Sequence, residues 1–194
     1  TVAPEISIIV PLYGRLDFIE HQLLAFCKDA DFAEKVEVVY VLDDPTLEMP
    51  MKGLAPILQR LTRCAFRVVS NGRNGGFAKA CNLGASQARG EVLIFVNSDV
   101  FPRHSGWATG LSDVLKSNED IGIVSPRLLF PDEGLQHAGM VPIWRDALGI
   151  WSNHHPQMGF DPELDEHQSL SKVPLVSGAC VALRKRDFDA VHGW

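Results

Sequence analysis

The feature that most constrains this chain is the run Val92-Leu93-Ile94-Phe95-Val96, which follows a break at Gly90 and stops at Asn97-Ser98-Asp99. A short unbroken apolar run bounded by turn signals predicts a strand buried on both faces. Such strands belong to α/β sheets with helices on either side. In those sheets ligands bind at the carboxyl ends of the strands. An isolated carboxylate at that end, Asp99, needs a partner, and a divalent cation is one such partner. Capping of the next segment is the competing role for Asp99.

The chain of 194 residues fits one domain, or one domain with an appendage. The formal charge of −6 argues against a nucleic-acid binder that works through a basic face. It leaves phosphate-bearing small ligands open, because a metal or helix amino ends can hold them. Cys27, Cys64, Cys81 and Cys180 are scattered and show no zinc spacing, so buried free thiols in a reducing compartment are expected. No apolar run approaches the roughly 20 residues of a membrane span, and no signal peptide opens the sequence. The start at Thr1-Val2 and the stop at His192-Gly193-Trp194 lead to the expectation of a piece of a longer protein.

Read in order, Ile6 to Leu12 is a β-branched run and the first buried strand. Its ladder is expected to end near Val10, because Pro11 cannot donate within a central strand. Leu16, Ile19, Leu23, Phe26 and Cys27 then share one face of a helix. Val36 to Leu42 is a second buried strand, ending in Asp43-Asp44-Pro45. Pro50 to Arg63 reads as a helix with Leu54, Ile57, Leu58 and Leu61 inward, and Pro56 is tolerated only if that helix starts near Ala55. Phe66 to Val69 is a short third strand. It runs into Ser70-Asn71-Gly72-Arg73-Asn74-Gly75-Gly76, which opens a helix from Phe77 to Arg89 rich in small residues. That loop offers backbone N–H groups and a helix amino terminus to an anion. It carries neither a dinucleotide fingerprint nor a P-loop.

After the opening strand, His104 to Ser117 reads as a helix and Ile121 to Val124 as a short strand. Arg127 to Phe130 and Gln136 to Val141 read as a hairpin. Pro142 to Lys172 has no periodicity and holds Trp144, Trp151, His154, His155, His167, Asp146, Asp161, Glu163, Asp165 and Glu166. Solvated loop histidines are the expectation for His154 and His155, since ligand spacing is missing. Val173 to Leu183 returns to strand character, and Arg184-Lys185-Arg186 reads as a solvated helix start.

Four successive β/α units predict a parallel sheet with right-handed crossovers. The strand ends at one edge then carry Pro11 and Tyr13, Asp43 and Asp44, Asn71 to Gly76, and Asn97 and Asp99. That inventory of an aromatic stacker, a hydrogen-bonding acid, an amide nest and a metal carboxylate fits a nucleoside diphosphate. The base would stack near Tyr13 and bond to Asp44. Mg²⁺ or Mn²⁺ at Asp99 would complete its shell with phosphate oxygens and water.

At these residues the sequence resembles family 2 glycosyltransferases of the GT-A fold, nearest the rhamnosyltransferase-like branch. The matching pieces are Ser7 to Tyr13, Val41 to Asp44, Asn74 to Asn82, and Phe95 to Val100. Gln136 to Gly139 and Ser177 to Arg184 fit the same branch. The resemblance implies a Rossmann-like, mostly parallel sheet flanked by helices, with one domain over 1–194. Residues 1–100 would be its nucleotide-binding half and 101–194 an incomplete acceptor-side half. It implies an inverting sugar transferase that uses a UDP- or dTDP-sugar donor and a glycan or other hydroxyl acceptor, in polysaccharide or cell-surface glycan synthesis.

The same resemblance implies nucleotide binding by Pro11, Tyr13, Asp43, Asp44, Asn74, Gly75, Gly76, Lys79 and Asn97. Asp99 would be the metal-binding end of a DXD-like motif whose first position is Asn97 here, so a second carboxylate is missing. Ser177, Gly178 and Ala179 would lie on the acceptor side. Inversion by single displacement needs a general base. The family's lies just beyond a Gly-Gly-aromatic segment that His192-Gly193-Trp194 matches, so the base is expected after Trp194. Asp187 and Asp189, the nearest acids, are expected to be solvated. The competing expectation is a non-catalytic nucleotide-sugar or carbohydrate-binding module. Neither nucleic acid nor a transmembrane segment is expected. The placement expected is cytoplasmic, with a longer parent protein peripheral at the inner face of the membrane.

Overall fold

The computed structural model describes residues 3–29, 32–62, 64–164 and 169–194. Asp165, Glu166 and His167 of the aperiodic segment, and Arg63 at the end of the second expected helix, lie outside these residues. The chain divides into two compact units, Thr1–Val124 with Ala182–Trp194, and Ser125–Val181.

The first unit alternates strand and helix: β1 (Ile6–Leu12), α1 (Phe18–Phe26), α2 (Phe32–Lys35), β2 (Val36–Leu42), α3 (Glu48–Thr62), β3 (Phe66–Ser70), α4 (Phe77–Gln87), β4 (Val92–Val96), α5 (Trp107–Ser117) and β5 (Ile123–Val124). The second holds β6 (Leu128–Leu129), β7 (Leu135–His137), β8 (Val141–Arg145) and β9 (Ile150–His154). The chain then forms β10 (Cys180–Arg184) and α6 (Lys185–Ala190). The main sheet has six strands in the order β3-β2-β1-β4-β10-β5. β1 pairs in parallel with β2 and β4, and β2 with β3, while β10 and β5 are antiparallel. The order reverses between β1 and β4, the switch point at which doubly wound sheets place their ligands.

The apolar runs make this core. Ile8, Ile9 and Val10 of β1, Val38, Val39 and Tyr40 of β2, and Leu93, Ile94 and Phe95 of β4 are all fully buried. Helix α4 reaches the sheet at Gly84, where a β-carbon would stand 2.3 Å from Ile9 Cγ2 and 2.9 Å from Val41 Cγ2. At the amino edge, Glu37 accepts from Ser7 Oγ, the Arg67 guanidinium and the Arg89 amide, which ties β1, β2 and β3 together. Burial works against that carboxylate, but the three donors leave its pKa below the usual value.

Several sequence expectations are corrected. β1 runs through Pro11 to Leu12, paired with Val41 and Leu42. Pairing with β4 has already ended at Ile9–Phe95. Leu12 faces β2, its carbonyl accepting from Asp43, so the alternating pattern turns the Pro11 nitrogen toward the unpaired side, where no ladder bond is lost. Helix α3 contains Pro56 in its interior. Pro56 is exposed, so water can take the carbonyl it leaves free. That helix buries only Met51 and Leu58, while Ile57 and Leu61 are more than half exposed.

The segment read as aperiodic from Pro142 begins with the β8–β9 hairpin, in which Trp144 opposes Trp151. Strand character within 173–183 is limited to the Met140–Leu175 bridge and β10. The basic cluster opens α6, and of its three residues Arg186 is exposed while Arg184 and Lys185 are tied to carbonyls. Arg184 is buried and donates to the carbonyls of Leu115, Asn118 and Ile121. Lys185 Nζ donates to the Ala85 carbonyl at 2.6 Å. Asp187 is partly exposed and also paired with Arg184 and Arg186, and Asp189 is exposed.

Candidate active site

A cleft of about 470 Å³ opens at the switch point, within the range of small-ligand sites. β1 contributes Pro11, the turn after it contributes Tyr13 and Arg15, and the start of α1 contributes Phe18. The residue just past β2, Asp43, lines it too, and the entry to α4 contributes Asn74, Gly76 and Phe77. The turn after β4 contributes Asn97, Ser98 and Asp99. Six residues singled out from sequence for the nucleotide, Pro11, Tyr13, Asp43, Asn74, Gly76 and Asn97, therefore converge here with Asp99. Asp44, Gly75 and Lys79 are not among the walls.

The amides at the start of α4 are not free for a ligand. Gly75 N–H donates to Asp43 Oδ1 at 2.7 Å, and Gly76 N–H donates to Asp43 Oδ2 at 2.9 Å. Asp43 is itself the anion at that helix amino terminus, where the macrodipole favours it. It is 5% exposed, and Gly75 and Gly76 hold its orientation. Asp44 is different. Its Oδ1 accepts from the Thr46 hydroxyl at 2.7 Å and the Thr46 amide at 2.9 Å, capping the 3₁₀ turn Pro45–Leu47. The Thr46 hydroxyl and amide hold its carboxyl below the usual range. Asp44 is partly exposed at the tip of β2, beside the cleft wall.

Asn97 to Val100 form a closed turn, with the Val100 amide donating to the Asn97 carbonyl at 3.1 Å. Ser98 and Asp99 occupy its tip, and Asp99 is exposed to the cleft. Among the described residues no group of three or more His, Cys, Asp or Glu stands together to hold a metal ion. One carboxylate at the mouth of a cleft fits a hard cation that takes its other ligands from phosphate and water.

Sequence reasoning missed Arg15, Phe18, Phe77 and Ser98. Arg15 is ion-paired with Asp17, lies 4.2 Å above the Phe18 ring, and feels the charge of Asp99. Its place in the turn just after the first strand was the available signal, since residues there face the switch point. Phe77 stacks on Trp194 with centroids 5.8 Å apart. Asn82 holds the Trp194 peptide from both sides, its amide donating to the carbonyl at 2.7 Å and its oxygen accepting from the N–H at 3.0 Å.

In the second unit, Ser177 N–H donates to His137 Nε2 at 3.2 Å, and Ala179 N–H donates to Ser177 Oγ. His137 is buried, and its Nδ1 lies 3.4 Å from His155 Nδ1. Since Nε2 accepts, the His137 proton sits on Nδ1. Burial, with His155 adding to it, pushes His137 down to about 4. His155 is thus half-buried against a partner rather than a solvated loop histidine, whereas His154 is exposed. Burial pushes the thiols of Cys81 and Cys180 up to about 12, which leaves them unreactive packing groups.

Fold and cleft together define the class: a doubly wound α/β domain of GT-A architecture with its ligand site at the strand switch point. Residues 7–191 match the family described as glycosyl transferase family 2, and the chain belongs to that family as a glycosyltransferase domain. It is 29% identical over 205 residues to the O-antigen biosynthesis protein RfbC of Myxococcus xanthus, an alignment covering 98% of the chain and 14% of that protein. It is 30% identical over 129 residues to the protein y4gI of Sinorhizobium fredii, covering 66% of the chain and 14% of that protein. The chain therefore spans about one seventh of the length of either relative. The mannosyltransferase PcManGT of Pyrobaculum calidifontis, solved with GDP-Man and Mn²⁺, superposes with a TM-score of 0.63 at 18% identity. That superposition covers 100% of this chain and 48% of that one. At that identity the likeness shows the fold.

Proposed function

We propose that this chain binds a nucleoside diphosphate sugar in the cleft at the β1–β4 switch point and belongs to an inverting transferase that passes the sugar to an acceptor hydroxyl. The observation that carries this reading is the convergence of Pro11, Tyr13, Asn74, Gly76, Asn97 and Asp99 on one cleft. UDP or dTDP suits the site, with the base against Tyr13 and its imide N–H donating to Asp44. Asp43 and Gly75 act through position, fixing the start of α4. The exposed Lys79 and the Arg15 guanidinium offer positive charge to a diphosphate. Support comes from the mannosyltransferase of the same fold, whose structure holds GDP-Man and Mn²⁺.

Asp99 is the residue that would hold a divalent cation, Mg²⁺ or Mn²⁺. Such an ion supplies Lewis-acid stabilisation to a departing diphosphate. Asn97 contributes its carboxamide rather than charge. On the acceptor side we assign Ser177, Gly178 and Ala179, a turn that His137 orients through the Ser177 amide. A glycan hydroxyl is the acceptor class, in line with the Myxococcus relative being an O-antigen biosynthesis protein. Among the described residues no helix is long and apolar enough to cross a membrane.

Saturation-transfer NMR with UDP, dTDP and GDP tests the reading. Saturation of the base and ribose protons of UDP or dTDP, reduced in Asp44→Ala, is expected. No transfer to any of the three would overturn it. In turnover, the anomeric configuration of the product, read by NMR, is expected to be opposite to that of the donor.

A further inference from the structure

One fully buried polar side chain has no part in the site as described. Gln22 lies on the inner face of α1, among the apolar Ile19, Leu23 and Phe26, and is 0% exposed. A buried carboxamide there is costly unless every polar atom is paired. All of its atoms are used. Nε2 donates to the Asn97 carbonyl at 3.0 Å and to the Val100 carbonyl at 3.1 Å. Oε1 accepts from the Tyr40 hydroxyl at 3.1 Å. The two carbonyls fix which end of the amide is nitrogen, because a carbonyl can only accept.

Asn97 and Val100 are the first and last residues of the turn whose tip is Ser98-Asp99. One amide group therefore staples both ends of that turn to α1, and the Tyr40 hydroxyl of β2 donates to the oxygen at its other end. A leucine or methionine at position 22 would satisfy the apolar face of α1 equally well. Using a glutamine there serves the turn, not the core.

We infer that Gln22 is a positioning residue for Asp99. It holds the 97–100 turn in the one shape that presents the carboxylate to the cleft, and so sets how strongly a divalent cation reinforces nucleotide binding. This rests on reading the cleft as a nucleoside diphosphate site. Tyr40 acts at the other end of the same amide and contributes stability without shaping the turn.

The test is calorimetric binding of UDP with and without Mn²⁺ to the wild type, Gln22→Met and Tyr40→Phe, at a temperature where circular dichroism shows each folded. The readout is the ratio of the two dissociation constants, which a merely structural role would not move. If the turn is competent to present Asp99 only a tenth of the time in Gln22→Met, that ratio falls about tenfold. Tyr40→Phe is expected to lower Tm and keep the wild-type ratio. Gln22→Leu replaces Gln22→Met if the latter does not fold. In the wild type, slow hydrogen exchange of the Val100 amide is expected, and exchange at loop rates overturns the proposal whatever the variants do. An unchanged ratio in a folded Gln22 variant overturns the proposal alone. A wild type that binds UDP without regard to Mn²⁺ also overturns it. A wild type that binds no UDP under either condition overturns the donor reading, and the proposal with it.

Discussion

Replacing Asp43 with asparagine tests the junction on which the cleft is built. The carboxylate is 5% exposed and takes one amide on each oxygen, Gly75 at 2.7 Å and Gly76 at 2.9 Å. Asparagine keeps one acceptor and turns an NH₂ group toward the other amide, so one bond becomes a donor facing a donor. A hydrogen bond to a charged group contributes about 1.5–3 kcal/mol, and an unpaired buried donor costs about 1–3 kcal/mol. The expected loss for Asp43→Asn is therefore about 3 kcal/mol in urea unfolding, or a Tm lower by about 6–12 °C for a chain of this size. Asp44→Asn is the control. It keeps its capping oxygen for Thr46, and asparagine caps as well as aspartate, so an unfolding midpoint close to that of the wild type is expected. Equal losses at the two adjacent positions, or a loss below about 1 kcal/mol at Asp43, would refute the assignment of Asp43 to the amides.

Three further outcomes follow from the same geometry. Gly84→Ala should destabilise by about 1–2 kcal/mol net, because crowding at Ile9 and Val41 outweighs alanine's helix preference of about 1 kcal/mol. An unfolding curve as stable as the wild type would contradict it. For Gly193→Ala, the new β-carbon would stand 2.7 Å from Asn82 Oδ1 at a φ of +77°. It should release Trp194 from Asn82, seen as greater acrylamide quenching, with unchanged quenching counting against the clamp. The third concerns His137, whose folded pKa of about 4 lies below the ordinary value near 6.5. The unfolded state takes up a proton that the folded state refuses, so stability from this group is present above about pH 6.5 and is lost as pH falls toward 4. The stability difference between wild type and His137→Phe should shrink over that window, and a difference independent of pH would exclude the buried neutral imidazole.

The sheet was readable because its strands are continuous apolar runs, and the lining of the cleft because its polar residues sit where those runs stop. Pattern alone could not show that Pro11 continues β1, since that depends on where the neighbouring ladder ends. Nor could it show that α3 carries Pro56 on its solvent face. The β8–β9 hairpin escaped notice because Val141–Arg145 and Ile150–His154 are half-exposed strands without alternation, held by facing tryptophans. The basic residues Arg184 and Lys185 read as solvated because charge suggests water, yet their partners are carbonyls supplied by α4, α5 and the stretch after α5, distant in sequence. Gln22 fell on an otherwise apolar helix face, where one polar residue carries no signal until the turn it holds is seen. The amides before α4 read as open to a ligand anion, and that Asp43 takes them was hidden because it lies 32 residues before Gly75.

The most direct test of the account is calorimetric binding of UDP and dTDP, each with and without Mn²⁺, to the wild type and to Asp99→Ala. Nucleotide binding that Mn²⁺ strengthens is expected in the wild type, with the metal-dependent part lost in Asp99→Ala while the fold is intact. A folded wild type that binds neither nucleotide, or an Asp99→Ala variant that responds to Mn²⁺ as the wild type does, would contradict it.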